Sequence, residues 1–414
     1  MKKIGLLGLG LLTAASAFAQ ANVVKDVEHM LKGSSPNYAE ALKAIQPALT
    51  NPETANTMMP WYLAGKAAFG VFDEAFKNES IGQTLTPEQK KQAGNAYVDG
   101  YDYYLKALRL DSVPDAKGKI KPKKSKEILK TLNGGYPYMR TAAIFLMQAS
   151  DFDDAYDAWE YYVTLPENPL MGKEAPAVLP DSVRGESMFY QANSMLASDQ
   201  MNADPEKVKK AMNKLNKVLD TDYKNQDVYV YGIIAANRLN DKEQKNRFAQ
   251  AGYDNYGTSD ITFVGELINS KLDVDDYDGA LKYVDEAIAA TAPDNKSMLA
   301  QIYTIRGIIE FRRDNNDAAR TALEKALEYN PEYPDALFNL AQVILNTVDK
   351  KTMENANVST ADFKDEILKA ADMLKKVYEL DDVKYSSIPD TLYRIYYNLG
   401  ADYIDDSNYW NSLR

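Results

Sequence analysis

The chain has 414 residues, with 48 Lys and Arg against 60 Asp and Glu, one His and no Cys, for a formal net charge of −12. Such acidity argues against nucleic acid and anionic membrane surfaces, where basic patches supply the affinity. Without cysteine, and with His29 as the one histidine, no nucleophile–histidine triad can be built unless His29 serves, and ordinary zinc sites are excluded.

The first residues, MKKIGLLGLGLLTAASAFAQ, have a short basic region at Lys2 and Lys3, an apolar run from Ile4 to Phe18, and a small-x-small site at Ala17-Phe18-Ala19. This is the pattern of a secretory signal peptide, expected to be cut between Ala19 and Gln20. The run is shorter than the roughly 20 apolar residues that span a bilayer, so no integral membrane segment is expected after cleavage. Without the leader, 46 basic residues face 60 acidic ones, net −14. The expectation is an exported, soluble protein, with a bacterial periplasm as its compartment. It carries no disulfides, so packing alone must hold it together.

Beyond the leader, one spacing recurs. A first helix pair ends in YAEALKAIQPAL, with Ala41, Ile45 and Ala48 on one face. From residue 58, Trp61, Gly65 and Ala68 fall at positions 4, 8 and 11 of a unit. From 136, Ala142 and Ala143 stand at 7 and 8, Ala155 at 20 and Trp159 at 24. The stretch FYQANSML (Phe189, Ala192, Asn193, Leu196) is a weaker copy. From 225, Gly232 stands at 8, Phe248 at 24 and Ala251 at 27, and DYDGALKYVDEAI adds Ala280, Val284 and Ala287. From 300 the spacing is clearest: Tyr303 at 4, Gly307 at 8, Ala319 at 20, Leu323 at 24, Ala326 at 27 and Pro331 at 32. The next unit restarts at Pro334 with Leu337, Leu340 and Ala341, and the last contains Tyr396, Leu399, Gly400 and Tyr403. Two antiparallel helices pack closely only where small residues sit at the crossing, and proline closes the second helix.

These residues closely resemble the tetratricopeptide repeat, with its 34-residue period of large, small, aromatic and proline positions; the resemblance is to exported, Bacteroidetes-like members. It implies an all-α fold, an α-solenoid of about nine helix pairs in a right-handed superhelix with loop insertions. Insertions are expected at 73–92, 112–132, 166–182 and 349–363. The second holds the lysine-rich run of 117–130, KGKIKPKKSKEILK, which is either a solvated loop and helix start or a docking patch for acidic groups. The paired glycines and proline of Asn133 to Pro137 mark the best hinge, and 167–182 a second. The expected division is 20–132 as N-terminal helical repeats, 133–181 as a repeat with a hinge, and 182–414 as C-terminal repeats.

Catalytic signatures are missing. GLGLG lies in the leader, and no Gly-rich phosphate loop occurs. DVDDYDG at 273–279 fails as a calcium loop, because Tyr277, Asp278 and Val284 occupy the fifth, sixth and twelfth positions. It reads better as a turn with Asp276 or Asp278 capping the second helix, and SDFDDAYDAW at 150–159 occupies the same place earlier. No enzyme and no cofactor are expected.

The resemblance also implies a groove lined by positions 2, 5, 9 and 12 of each first helix. Position 5 holds Tyr62, Arg140, Tyr190, Tyr229, Thr304, Phe338 and Tyr397, and Lys66 adds a positive charge. Rings at these places either pack between helices or line an aromatic groove, where tyrosine offers rigid area with a polar tip. The carboxylate clamp of the chaperone-binding members needs Lys and Asn at positions 2, 5 and 9; Gln301, Thr304 and Ile308, and Gln226, Tyr229 and Ile233, lack the charge. The expected function is a scaffold binding a protein or extended peptide in this groove, with envelope assembly as its setting. The alternative is a glycan-binding protein, whose usual lipid-anchoring cysteine is absent. Open repeat ends also admit self-association.

Overall fold

The computed structural model describes residues 22–114, 117–200, 204–257, 261–355 and 357–414. The leader expected at 1–19 lies outside the described residues. Among the described residues, eighteen α-helices follow in tandem and no strand occurs, the number that nine helix pairs require. The chain divides into two compact units, Met1–Lys242 and Glu243–Arg414.

The first unit contains α1 (22–30), α2 (Tyr38–Thr50), α3 (Met58–Ser80), α4 (Pro87–Asp111), α5 (Ser125–Gln148), α6 (Phe152–Thr164), α7 (Asp181–Ser198), α8 (Pro205–Leu219) and α9 (Gln226–Leu239). Its pairs close around glycine. A Cβ at Gly65 would lie 2.8 Å from the Tyr104 ring, and one at Gly100 2.5 Å from Phe69. Gly100, Tyr104 and Ala107 thus stand on α4 where Ala319, Leu323 and Ala326 stand in the clearest unit. The long α3 and α4 displace them from the expected spacing. The insertion expected at 73–92 is therefore corrected: helix continues to Ser80 and resumes at Pro87. Thr86 and Gln89 close a capping box there, with Gln89 N donating to Thr86 Oγ1 at 3.3 Å and Thr86 N to Gln89 Oε1 at 2.9 Å.

Asn133 to Pro137 is also corrected, from hinge to helix interior, since α5 runs through it. The physical reason is tyrosine. Tyr97 OH donates to Gly135 O at 2.6 Å and Tyr101 OH to Leu132 O at 2.9 Å, and a Cβ at Gly135 would strike the Tyr97 hydroxyl. Gly135 admits the tyrosine hydroxyls, whereas Gly134 has open space beside it and Pro137 faces solvent. The second expected hinge packs as well: Leu165 and Met171, in short 3-10 turns at Leu165–Glu167 and Pro169–Glu174, are buried in the unit's core.

The second unit contains α10 (Lys242–Tyr256, its first residue in the first unit), α11 (Ile261–Leu272), α12 (Tyr277–Ala290), α13 (Lys296–Arg312), α14 (Asn316–Tyr329), α15 (Pro334–Glu354), α16 (Lys364–Leu380), α17 (Ile388–Leu399) and α18 (Ile404–Ser412). A Cβ at Gly307 would meet Leu323 Cγ at 2.5 Å, and Ala319 and Ala326 are fully buried. Pro334 opens α15, with Leu337, Leu340 and Ala341 buried. One small position shifts by a residue. Gly252 rather than Ala251 meets the next helix, its missing Cβ leaving 2.7 Å to Phe263, because Phe248 and Gly252 lie one turn apart on the buried face. The first six residues of the insertion expected at 349–363 are helix too, since α15 continues to Glu354.

Four of the turns share one chemistry. Ser150, Asn240, Asp275 and Asp314 adopt left-handed backbone with φ of 60°, 52°, 56° and 68°. The next N–H, of Asp151, Asp241, Asp276 and Asn315, donates to the carbonyl five residues back at 2.9 Å in every case. This is the bond that closes a helix whose C′ residue is left-handed. Asp276 caps α12 through Gly279 N at 2.9 Å, as expected. Asp151 does not cap α6; its carboxylate accepts instead from Asn95 at 3.3 Å and Lys91 at 3.0 Å.

Candidate functional site

The position-5 side chains do not form one open face. Tyr62 is buried on α3, and its hydroxyl donates to Glu127 while Lys124 sits 4.5 Å above its ring. Burial, then the bond to Glu127, pushes the Tyr62 phenol up; Lys124 and Tyr62 hold the Glu127 carboxyl below its usual range. Arg140 on α5 pairs with Glu186 of α7 at 3.1 Å. Tyr190 stacks on Trp159 at 5.3 Å. Tyr229 is 1% exposed and Thr304 is buried, so neither offers surface. Lys66 Nζ donates to Leu31 O at 3.4 Å.

In the second unit, Phe338 packs on Tyr385 at 5.2 Å. Asp335, one turn earlier on α15, accepts from Lys384 Nζ at 2.7 Å and from the Tyr385 hydroxyl. Burial opposes the Asp335 charge, but these hydrogen bonds hold its carboxyl below the usual range; burial and Asp335 push the Tyr385 phenol up to about 12. Tyr62, Arg140 and Phe338 thus work as struts from one first helix to the chain that begins the next. Of the expected groove residues only Tyr397 is well exposed, at 63%.

The second unit also holds a cavity between its helices. Helices α15, α16 and α17 surround about 220 Å³ whose floor is Val348, Ile367 and Ile395 and whose rim is Asp349, Arg394 and Asn398. Arg394 and Asn398 lie one turn apart on the face of α17 that meets the cavity. Arg394 is paired with Asp390 at 2.8 Å. Thr360 closes one side, set by a 3-10 turn at Thr360–Phe363 that Ser359 and Asp362 begin with their own capping box. The sequence carried this signal in Ser359-x-x-Asp362, inside what reads as an insertion. His29 is exposed on α1, and among the described residues no three His, Cys, Asp or Glu side chains converge as metal ligands.

Tandem helix pairs, small residues at their crossings and an apolar pocket between successive first helices define an α-helical repeat scaffold. Residues 307–347 match the family model of the tetratricopeptide repeat, and the chain carries that repeat. Among solved structures, MamA is 15% identical, covering 46% of this chain and 96% of its own, with a TM-score of 0.33. The P58(IPK) TPR domain is 13% identical, covering 92% of this chain and 97% of its own, at 0.30. A tetratricopeptide repeat protein from Parabacteroides merdae ATCC 43184 is 12% identical, covering 74% and 98%, at 0.26. No curated protein matches the chain. No described helix is long and apolar enough to cross a membrane.

Proposed function

We propose that this protein is an exported scaffold, working in envelope assembly, that binds an extended segment of a partner protein on the first-helix face of its second unit. The observation that carries the reading is the cavity between α15 and α17: an apolar floor of Val348, Ile367 and Ile395, sized for one bulky side chain, under a polar rim that can meet a peptide backbone. Tyr397, exposed elsewhere on α17, adds rigid contact area beyond the cavity. Catalysis has no part in this reading. The test places a photo-crosslinking residue at Asp349, on the rim, and identifies by mass spectrometry what is captured in the envelope fraction. Asn398→Trp, which fills the cavity, should abolish capture while leaving the helical circular dichroism and melting unchanged. Capture that survives Asn398→Trp would sink the pocket assignment. Export is tested separately, by N-terminal sequencing of the periplasmic protein, which should begin at Gln20.

A glycan-binding reading has one observation of its own. Between α16 and α18, Tyr409 (58% exposed) meets Trp410 at 5.1 Å beside Glu379, Asp382 and Asp406, a ring next to carboxylates that sugar hydroxyls could address. A glycan array decides it, and an array without hits leaves the protein-binding reading.

A further inference from the structure

The lysine-rich run 117–130 is not absorbed by the pocket. It carries seven lysines and one glutamate, so it is +6 in a chain of net −12. Its return into α5 is built firmly: Asp111 accepts from Lys123 N at 2.9 Å, Lys124 N at 2.9 Å, Ser125 N at 2.7 Å and Ser125 Oγ at 2.7 Å. Lys123, Lys126 and Lys130 are exposed, and the last two stand one turn apart on α5. Cations in the first turns of a helix oppose its dipole by about 0.3–1 kcal/mol each. Local helix stability therefore gives no reason for Lys126 and Lys130 on this face. Val113 and Ile120, 60% and 55% exposed, flank them with apolar surface.

We infer that this basic segment docks on the acidic surface of a second copy of the chain. The argument is charge complementarity: outside residues 117–130 every copy carries a net charge of −18. The receiving surface is the outer face of α4 and α6, where Asp99, Asp102, Asp154 and Asp157 gather. None of the four forms an ion pair among the described residues, and Asp102 accepts only the Tyr161 hydroxyl. Burial, then neighbouring carboxylates, pushes Asp99, Asp154 and Asp157 up from their ordinary range, so a cation brought there relieves a repulsion already present. Basic and acidic patches both lie in the first unit, so docking is independent of the pocket on α15 and α17. A pair of copies, or an open row of them, satisfies both patches.

Sedimentation velocity tests this on the purified protein at about 50 µM, in about 20 mM and about 500 mM NaCl, since salt screens such contacts. The expected result is a dimer or larger species in low salt and a monomer in high salt. Lys123→Glu/Lys126→Glu/Lys130→Glu should be monomeric in low salt, as should Asp99→Lys/Asp157→Lys, each with an unchanged melting curve. An equimolar mixture of the two should associate again, because each supplies the patch the other needs. A wild-type monomer in low salt overturns the inference, and so does association that persists in high salt or in both variants. Binding to vesicles of about 30% anionic lipid that the lysine variant loses, without self-association, also overturns it, since the basic segment would then be a membrane contact.

Discussion

The two units solve the same packing problem with different side chains. In the first, the crossings of α3, α4 and α5 hold rings: Phe69 stacks on Tyr97 at 4.5 Å, Phe72 lies 4.1 Å from Tyr97, and Tyr101 and Tyr104 are buried beside them. Glycine faces Tyr104 at Gly65, Phe69 at Gly100 and the Tyr97 hydroxyl at Gly135. In the second, Leu323, Leu340, Ile344, Leu374 and Leu392 fill the core between Ala319, Ala326, Ala341 and Ala371. Rings take the Cβ volume of a glycine, as Phe263 also does at Gly252, whereas the leucines of the second unit pack mainly against alanine, with Leu323 at Gly307 the exception. The aromatic solution also brings hydroxyls inside, and Tyr97 and Tyr101 meet backbone carbonyls of α5 because buried polar groups must be paired. The family match at 307–347 falls in the aliphatic unit, whose residues follow the usual spacing of the repeat.

The comparison breaks most directly at the rings. Tyr101→Ala should cost about 4 kcal/mol, in the range for emptying a large aromatic site. Urea melts followed at Trp159 should shift while those followed at Trp410 in the second unit do not. A common shift would mean that the two units unfold together. Tyr229→Ala, at a position the sequence left open between core and groove, should cost about 3–5 kcal/mol because its ring is fully buried. Tyr397→Ala should leave the melt unchanged.

Gly100→Ala sharpens the contrast at smaller scale. The added methyl meets Phe69 at 2.5 Å, and overpacking of this kind costs about 1–3 kcal/mol. Ala319→Gly, in the matching place of the second unit, should cost about 1 kcal/mol through helix propensity. Denaturant midpoints at unchanged slope measure both. Removing the cap of α12 with Asp276→Ala should cost about 1 kcal/mol, whereas Asp151→Ala removes no cap and should lose only its contacts to Lys91 and Asn95.

The smallest effect is in pH. Asp99, Asp154 and Asp157 are raised in the folded state, so they take up protons there before the unfolded chain does. Their repulsion is relieved, and the first unit gains stability, as pH falls from neutral towards the upper carboxylate range. Asp335 in the second unit is lowered, so its contribution is present above the ordinary carboxylate value and is lost as pH falls through its depressed one. Melts at Trp159 should therefore rise slightly between about pH 7 and 5 while those at Trp410 stay level. A parallel change at both tryptophans would end this part of the comparison.

The amino-acid sequence by itself determined the helix pairs and the turns between them. Small residues at the crossings, the proline restart at Pro331 and Pro334, and the Asp276 cap are local or periodic signals, written within one or two turns of the chain. The Ser, Asn or Asp that turns left-handed before an Asp or Asn is equally local and was open to reading at residues 150, 240, 275 and 314. Only the tertiary structure decided which side chains those periodic faces bury. Tyr62, Tyr229 and Tyr397 occupy one position of the repeat, yet two are core and one is exposed, because burial depends on what a neighbouring helix supplies: Glu127 and Lys124 come some sixty residues after Tyr62. The same holds for Asn133 to Pro137, where Gly135, one of a pair that punctuates a chain locally, becomes room for Tyr97 and Tyr101. Spacing along one helix sets where a side chain points; the partner across the interface sets what it meets.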